Sequence, residues 1–226
     1  MRAAVYAGGM RCVIYRELAG EPEQVDCRRA GSRPTEVLDA LKGAGEQGFC
    51  WVHLDEPHPG ELEELADPWG LHPLAVEDAV QAHQRPKRER YGDVLAVALK
   101  TLWYVEDGCE VETGEVMVFT GPRFALTVRH GPVDATVEAA RRLNEDAHML
   151  RFGPVAVLHA VLDTVVDSYA EAAVQVRTDL TALERRVFSP DRGSSNSATP
   201  YSPWLRWCRI SRAPAPDARG GAAVLP

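Results

Sequence analysis

The sequence lacks the patterns that would assign it to a common class of enzyme or metalloprotein. It contains no Gly-rich phosphate loop, no Gly-x-Ser-x-Gly motif and no kinase-like lysine motif. Its seven histidines show neither the His-x-x-x-His spacing nor the mixed Cys and His spacing of a zinc site. We therefore expect that this protein is not an enzyme.

Cysteine usage and the shortness of the apolar runs disfavour a secreted protein and a membrane-spanning chain. The five cysteines are far apart, odd in number and without any Cys-x-x-Cys pair, which is typical of reduced thiols in a cytosolic protein. The N-terminal segment MRAAVYAGGMRCVIYREL has no continuous apolar core, so no secretory signal is predicted. No apolar run approaches the ~18 uninterrupted residues that a membrane-spanning helix needs. From these features we expect a chain that does not itself cross a membrane.

Negative charge predominates, and it is unevenly distributed. The formal net charge of −8 over 226 residues argues against a nucleic-acid partner and is compatible with a cation as the partner. From Asp191 onward the chain has five arginines and two aspartates but no lysine or glutamate. The preceding part of the chain is therefore more acidic than the total suggests.

Hydrophobic patterns predict an α+β fold in which a mixed β-sheet is sandwiched by helices. Apolar runs and turn residues predict strands over 11–17, 49–54 and 91–105, and a hairpin over 115–130 with its turn at Gly121-Pro122. Apolar spacing and prolines predict helices over 35–45, from 59 to about 70, from 73 to 85 at the latest, and over 133–143. The strand over 91–105 is apolar on both faces and is expected away from the sheet edge.

A change of pattern after residue 150 predicts three segments. Residues 1–150 are expected to form an α/β/α domain. Apolar residues then recur at steps of three and four from Pro154 to Phe188, which predicts one long helix within a segment 151–189. Residues 190–226 are rich in Ser, Pro, Ala, Gly and Arg, which predicts an atypical, disordered tail. Its two tryptophans and one cysteine are unusual for a linker and indicate a disrupted reading frame.

Two groups of carboxylates are the candidate functional residues. Glu77 and Asp78 are adjacent on a short predicted helix, so their side chains point roughly 100° apart. Such a pair is by itself typical of a solvated helix surface. Asp163, Asp167 and Glu171 follow one another at steps of four on the long helix, where like charges repel by a few tenths of a kcal/mol per pair. A ladder of this kind is fully solvated, paired with arginine from another element, or neutralised by a cation.

The order of motifs from Phe49 to Phe188 resembles that of one family. The motifs are FCWVHLDEP, LHPLAVEDAV, HQRPKRERYGDVLAVALKTL, FALTVRH, and a helix that runs from VLDTVVDSY to LERRVF. In this order they resemble the cytoplasmic domain of CorA-type magnesium and cobalt transport proteins. The segment VLDTVVDSYAEA is also similar to the Asp-x-x-x-Asp-x-Tyr signature of that family.

This resemblance implies a function and a set of site residues. Proteins of the family have an α/β cytoplasmic domain, a stalk helix and two membrane helices, form homopentamers in the cell membrane, and conduct Mg²⁺ or Co²⁺ passively. By resemblance, Glu77, Asp78 and Asp163 are metal ligands for regulatory Mg²⁺ between subunits, with Co²⁺ as a possible second ion, whereas Asp167 is structural. The Gly-Met-Asn pore motif does not occur in this sequence. We therefore expect a C-terminally truncated member, soluble by itself, whose relatives place this domain on the cytoplasmic face of the membrane.

Two other functions are compatible with the same residues. One is a soluble protein that binds metal, or modulates an intact CorA homologue by co-assembly, without transport activity. The other is a metal-dependent hydrolase, which is disfavoured because no nucleophile or general base accompanies the acidic residues in any motif. A Gly-Met-Asn-bearing hydrophobic hairpin encoded downstream would support the transporter, and metal-dependent turnover of an ester would support the hydrolase.

Overall fold

A computed structural model describes residues 10–18, 21–26, 48–105 and 110–187 of the chain. The strands are β1 (Met10–Leu18), β2 (Glu21–Asp26), β3 (Phe49–Asp55), β4 (Lys87–Tyr91), β5 (Val94–Val105), β6 (Glu110–Thr120) and β7 (Phe124–His130). The helices are α1 (Pro59–Trp69), α2 (Pro73–Gln81), α3 (Ala135–Glu145), a 3₁₀ helix (Ala147–Phe152) and α4 (Pro154–Val187).

The seven described strands form one mixed sheet in the order β2-β1-β3-β7-β6-β5-β4. Strand β3 pairs with β7 in parallel, with Cys50 opposite Phe124 and Asp55 opposite Arg129. The pairs β1–β2, β1–β3, β4–β5 and β6–β7 are antiparallel. Strand β4 is therefore at one edge of the sheet, and the carboxyl ends of β3 and β7 lie side by side.

Alternation along the strands divides the core into two apolar layers, one on each face of the sheet. In β3, Cys50, Val52 and Leu54 join the layer that contains the buried residues of α1 and α2. Phe49 and Trp51 point to the other face and join the layer that contains α3, the 3₁₀ helix and the first part of α4. The two helical layers thus cover opposite faces of one sheet.

The ends of α1 and α2 follow from local sequence. Helix α1 begins at Pro59, and it ends at Gly70, whose left-handed φ of 64° is accessible to glycine at little cost. Helix α2 begins at Pro73, and the His72 ring at its N-cap accepts a hydrogen bond from Leu74 N at 3.3 Å. The same ring stacks on Tyr91 of β4, with 4.4 Å between the ring centroids. The motif that begins with Leu-His-Pro therefore fixes both the start of α2 and its position beside β4.

The predicted fold class is confirmed, and the structure corrects several details. The strand predicted over 91–105 is two strands, since β4 ends at Tyr91 and the turn at Gly92-Asp93 precedes β5. Strand β2 and the 3₁₀ helix were not predicted, because neither has a clear apolar period. The predicted long helix is present as α4. The helix predicted over 35–45 and the tail 190–226 lie outside the described residues.

The chain divides into two compact units. The first contains the chain up to Trp103 together with Thr113–Glu171, and the second contains Tyr104–Glu112 and the chain from Ala172 onward. Within the second unit, the Tyr104 hydroxyl donates a hydrogen bond to the Asp179 carboxylate. Among the helices that the structure describes, none combines the length and the apolar character needed to cross a bilayer.

Candidate functional site

Helix α2 presents the first pair of candidate carboxylates at different depths. Glu77 is exposed, and its Oε1 accepts a hydrogen bond from Gln81 Nε2 at 2.9 Å, one turn further along the helix. Asp78 is only 22% exposed, and its Oδ2 lies 2.6 Å from Lys87 Nζ on β4. The two neighbouring side chains therefore have separate surroundings, as expected for adjacent positions on a helix.

Lys87 balances the charge of Asp78 and also pairs with Glu89, at 3.0 Å from its Oε2. Hydrogen bonds to Asp78 and Glu89 raise the pKa of Lys87, so it is a cation throughout the physiological range. Side chains alternate along β4, so Lys87 faces Asp78, whereas Arg88 and Arg90 are exposed.

The C-terminal end of α2 is held by two residues that the sequence analysis missed. The Ala79 carbonyl oxygen lies 2.7 Å from His130 Nε2, at the end of β7.

The second contact lies beyond the helix, where Ala82 and His83 have positive φ. There, Gln84 N donates a 2.9 Å hydrogen bond to Glu115 Oε2 of β6. Glu115 is 3% exposed, and the same oxygen accepts from Lys100 Nζ at 2.8 Å. These tethers fix the orientation in which α2 presents Glu77 and Asp78.

A carboxylate also organises the carboxyl ends of the parallel pair β3 and β7. Glu56, at a positive φ of 46°, accepts hydrogen bonds from Gly131 N at 2.6 Å and from His130 Nδ1 at 3.1 Å. Partial burial opposes ionisation of Glu56, but these hydrogen bonds lower its pKa, so it is ionised at neutral pH. Both ring nitrogens of His130 thus lie within hydrogen-bonding distance of oxygen atoms, one on Glu56 and one on the Ala79 backbone.

Helix α4 presents the second group of carboxylates, and an arginine from α3 binds two of them. Arg142 Nη2 lies 2.7 Å from Asp167 Oδ2, and Arg142 Nη1 donates to Asp163 Oδ2. Asp163 and Asp167 are 52% and 54% exposed, so both remain accessible to solvent. Of the three alternatives for the acidic ladder, the structure shows pairing with arginine from another element for its first two members.

Arg142 belongs to a wider ionic network on α3. Its Nε lies 3.0 Å from Glu138 Oε1, and the neighbouring Arg141 binds the same carboxylate at 2.6 Å and also Glu145. Hydrogen bonds from Arg141 and Arg142 lower the pKa of Glu138 to about 2. The three nitrogens of the Arg142 guanidinium therefore bind three carboxylates, one on α3 and two on α4.

A buried polar cluster supports the N-terminus of α3. His53 of β3 lies between Arg11 of β1 and Thr127 of β7 in the strand register, and its Nδ1 is 3.0 Å from Thr127 Oγ1. Arg11 binds Asp134, the N-cap of α3, at 2.9 Å. Burial, reinforced by the positive charges of Arg11 and Arg129, lowers the pKa of His53 to about 3. This histidine is therefore a neutral core residue.

The structure does not bring all three predicted metal ligands together within one chain. Glu77 and Asp78 lie on α2, and Asp163 lies on α4, so they are carried by helices that pack on opposite faces of the sheet. Among the described residues, no group of three or more His, Cys, Asp or Glu side chains is arranged to hold a metal ion. A cation bound by both carboxylate groups would therefore need a second copy of the chain.

Glu77 also lines a groove between α1 and α2 with a volume of about 420 Å³. Its lining includes the apolar residues Ala66, Leu71 and Val76 and the carboxylates of Glu63 and Asp67. This groove was not predicted. Apolar residues at helical spacing predict which faces of two helices are buried, but not how closely the helices approach at their ends.

Comparison with known proteins gives a family match over most of the chain. A family model described as CorA-like Mg²⁺ transporter protein matches residues 46–198. YfjQ of Bacillus subtilis, named provisionally as a metal ion transporter, is 28% identical over 136 residues, which are 60% of this chain and 41% of YfjQ. The cobalt/magnesium transport protein CorA of Thermotoga maritima is 23% identical over 157 residues, which are 69% of this chain and 45% of that protein. The chain thus spans less than half the length of these two curated relatives.

A solved structure shows the same fold. The soluble domain of CorA from Methanocaldococcus jannaschii matches with a TM-score of 0.54 at 16% identity, covering 85% of this chain and 68% of that domain. At this identity the likeness establishes the arrangement of the sheet and helices. The matching family is one of transporters.

Proposed function

Since the chain belongs to the family of CorA-like Mg²⁺ transporter proteins, we propose that it is the cation-sensing cytoplasmic part of a divalent-cation transporter. Mg²⁺ is the proposed regulatory ligand, with Co²⁺ as a second ion. In the whole protein, passive transport would occur through membrane helices, with the α/β/α domain 1–150 and the long helix of segment 151–189 on the cytoplasmic face. In this proposal Glu77, Asp78 and Asp163 are the sensing residues.

The observation that carries this proposal is the placement of the two carboxylate groups. They lie on opposite faces of one sheet, on the surfaces of α2 and α4, with Asp163 half exposed. When copies of the chain pack side by side, the α2 surface of one copy can face the α4 surface of the next. Asp78 and Asp163 from neighbouring copies then supply the one or two carboxylates that Mg²⁺ takes while it keeps most of its water ligands.

The proposed sensing mechanism follows from charge. With Mg²⁺ bound, the two carboxylates are neutralised and the contact between copies is stabilised by mass action. Without Mg²⁺, carboxylates that face each other repel and loosen the contact. A site with few protein ligands binds weakly, which suits a sensor of an abundant cation. The proposed assembly is a homopentamer, as the family resemblance implies.

Limited proteolysis of the 226-residue chain with increasing Mg²⁺ tests the proposal. We expect Mg²⁺ to slow cleavage and promote self-association of the wild type, and Asp78→Asn and Asp163→Asn each to raise the half-protection concentration several-fold. Asp93→Asn, in the exposed turn between β4 and β5, makes the same chemical change away from both groups and is the matched control. Equal protection of the wild type and both site variants would reject Asp78 and Asp163 as sensors.

A further inference from the structure

The Arg142 guanidinium binds the carboxylate of Asp163, one of the proposed sensing residues. Its three nitrogens bind three different carboxylates: Nε binds Glu138 at 3.0 Å, Nη2 binds Asp167 at 2.7 Å, and Nη1 binds Asp163. Its side chain is 28% exposed, whereas Asp163 is 52% exposed. The arginine is therefore the more buried partner, and Asp163 is the partner that solvent and ions can reach.

From this geometry we propose that Arg142 is a built-in competitor that sets the affinity of Asp163 for divalent cations. The proposal rests on the proposed function of Asp163 as a sensing ligand. A guanidinium hydrogen-bonded to Asp163 neutralises the charge and occupies an oxygen that Mg²⁺ needs. Because arginine is always protonated at physiological pH, the competition does not depend on pH in that range.

The remaining partners of Arg142 make the exchange inexpensive. When Asp163 turns to a cation, the guanidinium keeps its bonds to Glu138 and Asp167, so no buried charge loses all its partners. One exposed ion pair is broken, and exposed ion pairs are individually weak. The apparent dissociation constant for Mg²⁺ is the intrinsic constant divided by the fraction of Asp163 that Arg142 leaves free. We expect this competition to raise the apparent constant by roughly threefold to tenfold.

The neighbouring arginine provides a matched control. Arg141 lies on the same helix and binds Glu138 at 2.6 Å, but its other carboxylate partner is Glu145 on α3 rather than a residue of α4. Arg141→Gln and Arg142→Gln therefore change the net charge equally, and each removes one ion-pair partner of Glu138. Only Arg142→Gln releases Asp163, so a general electrostatic effect is distinguished from competition at this carboxylate.

The experiment measures the Mg²⁺ concentration for half-maximal protection from proteolysis in the full chain, with direct titration by calorimetry. We expect Arg142→Gln to lower this concentration by roughly threefold to tenfold and Arg141→Gln to change it by less than about twofold. In the double variant Arg142→Gln, Asp163→Asn the gain is expected to disappear. Arg142→Lys, a single point charge that cannot bind three carboxylates at once, is expected to lie between the wild type and Arg142→Gln. It also serves as the test variant if Arg142→Gln does not fold.

The outcomes separate this inference from the proposed function. If Asp163→Asn weakens Mg²⁺ binding but neither Arg142 variant strengthens it, the competitor role is rejected and the sensor role stands. A gain in Arg142→Gln that survives in the double variant also rejects the competitor role, because the effect does not pass through Asp163. If only the Arg142 variants bind Mg²⁺, competition is supported while sensing by the wild type fails. Absence of binding in the wild type and in both Arg142 variants rejects both ideas.

Discussion

The carboxylates of α2 and those of α4 are held in opposite ways. Asp78 is mostly buried, and its cation, Lys87, is nine residues away on the next strand, while the end of α2 is tied to the sheet by His130 and Glu115. Asp163 is half exposed and is bound by an arginine of another helix, 21 residues away. The fold thus fixes the position of the first group, whereas exchangeable surface ion pairs occupy the second. Changes to the residues that tie α2 to the sheet should therefore mainly affect stability, whereas changes to the ion pairs beside α4 should mainly affect the response to cations.

The strongest test of this contrast is Glu115→Ala against Glu138→Ala. Removal of the buried Glu115 carboxylate leaves Lys100 Nζ and Gln84 N without their partner, and we expect a loss of about 3 kcal/mol in the free energy of unfolding. Glu138 lies on the surface of α3, and its removal should cost less than about 1 kcal/mol. Denaturant unfolding followed by circular dichroism measures both, and equal losses would refute the contrast.

The stability of the fold towards acid is expected to depend on His53, in the buried polar cluster at the N-terminus of α3. The folded chain keeps His53 neutral, with a pKa near 3, while the unfolded chain protonates it near the ordinary value of 6.5. Between these values the unfolded state binds one more proton, so stability is present above pH 6.5 and is lost as the pH falls. We expect a loss of about 2 kcal/mol from pH 6.5 to 4.5, before most carboxylates titrate.

His53→Gln removes this titrating group and keeps a polar side chain on the strand. In this variant the dependence of unfolding free energy on pH should flatten between pH 6.5 and 4.5. His148→Gln, at an exposed position of the 3₁₀ helix, is the control and should retain the wild-type slope. A wild-type slope in His53→Gln would mean that another group is responsible.

The smallest expected effect is confined to one turn of α2. His130→Ala removes the contacts of the ring with the Ala79 carbonyl and the Glu56 carboxylate, which we expect to cost about 1 kcal/mol. Hydrogen exchange should show faster exchange in the last turn of α2 and unchanged exchange in α3 and α4. Faster exchange throughout the chain would indicate general destabilisation rather than a local tether.

Local patterns in the sequence predicted most of the described fold. The hairpin around Gly121-Pro122 and the long helix from Pro154 were predictable because period and turn chemistry act over short distances. Strand β4 was merged with β5 because the KRERY segment has no apolar period of its own, and only pairing with β5 makes it a strand. The boundary of β4 therefore depends on its hydrogen-bonded pairing with β5 and not on its local sequence.

The candidate site was predictable only as a set of carboxylates. The ladder containing Asp163 allowed three kinds of partner, and the choice of Arg142 depends on how α3 packs beside α4, which no spacing encodes. The tether from His130 to Ala79 spans 51 positions, and that from Glu115 to Gln84 spans 31. Such contacts have no signature in a single sequence, so the residues that orient α2 were missed.

The parallel pairing of β3 with β7 has a consequence for how the protein is made. His53 and Thr127 are neighbours in the sheet but 74 positions apart in the chain, so this pairing closes a long loop and is expected to form late in folding. During synthesis, β3 cannot pair with β7 until β7 has left the ribosome. Until then, one edge of β3 is unpaired and available to other chains. Any fragment that ends before β7 is therefore expected to aggregate, which gives a practical limit for dissecting the domain.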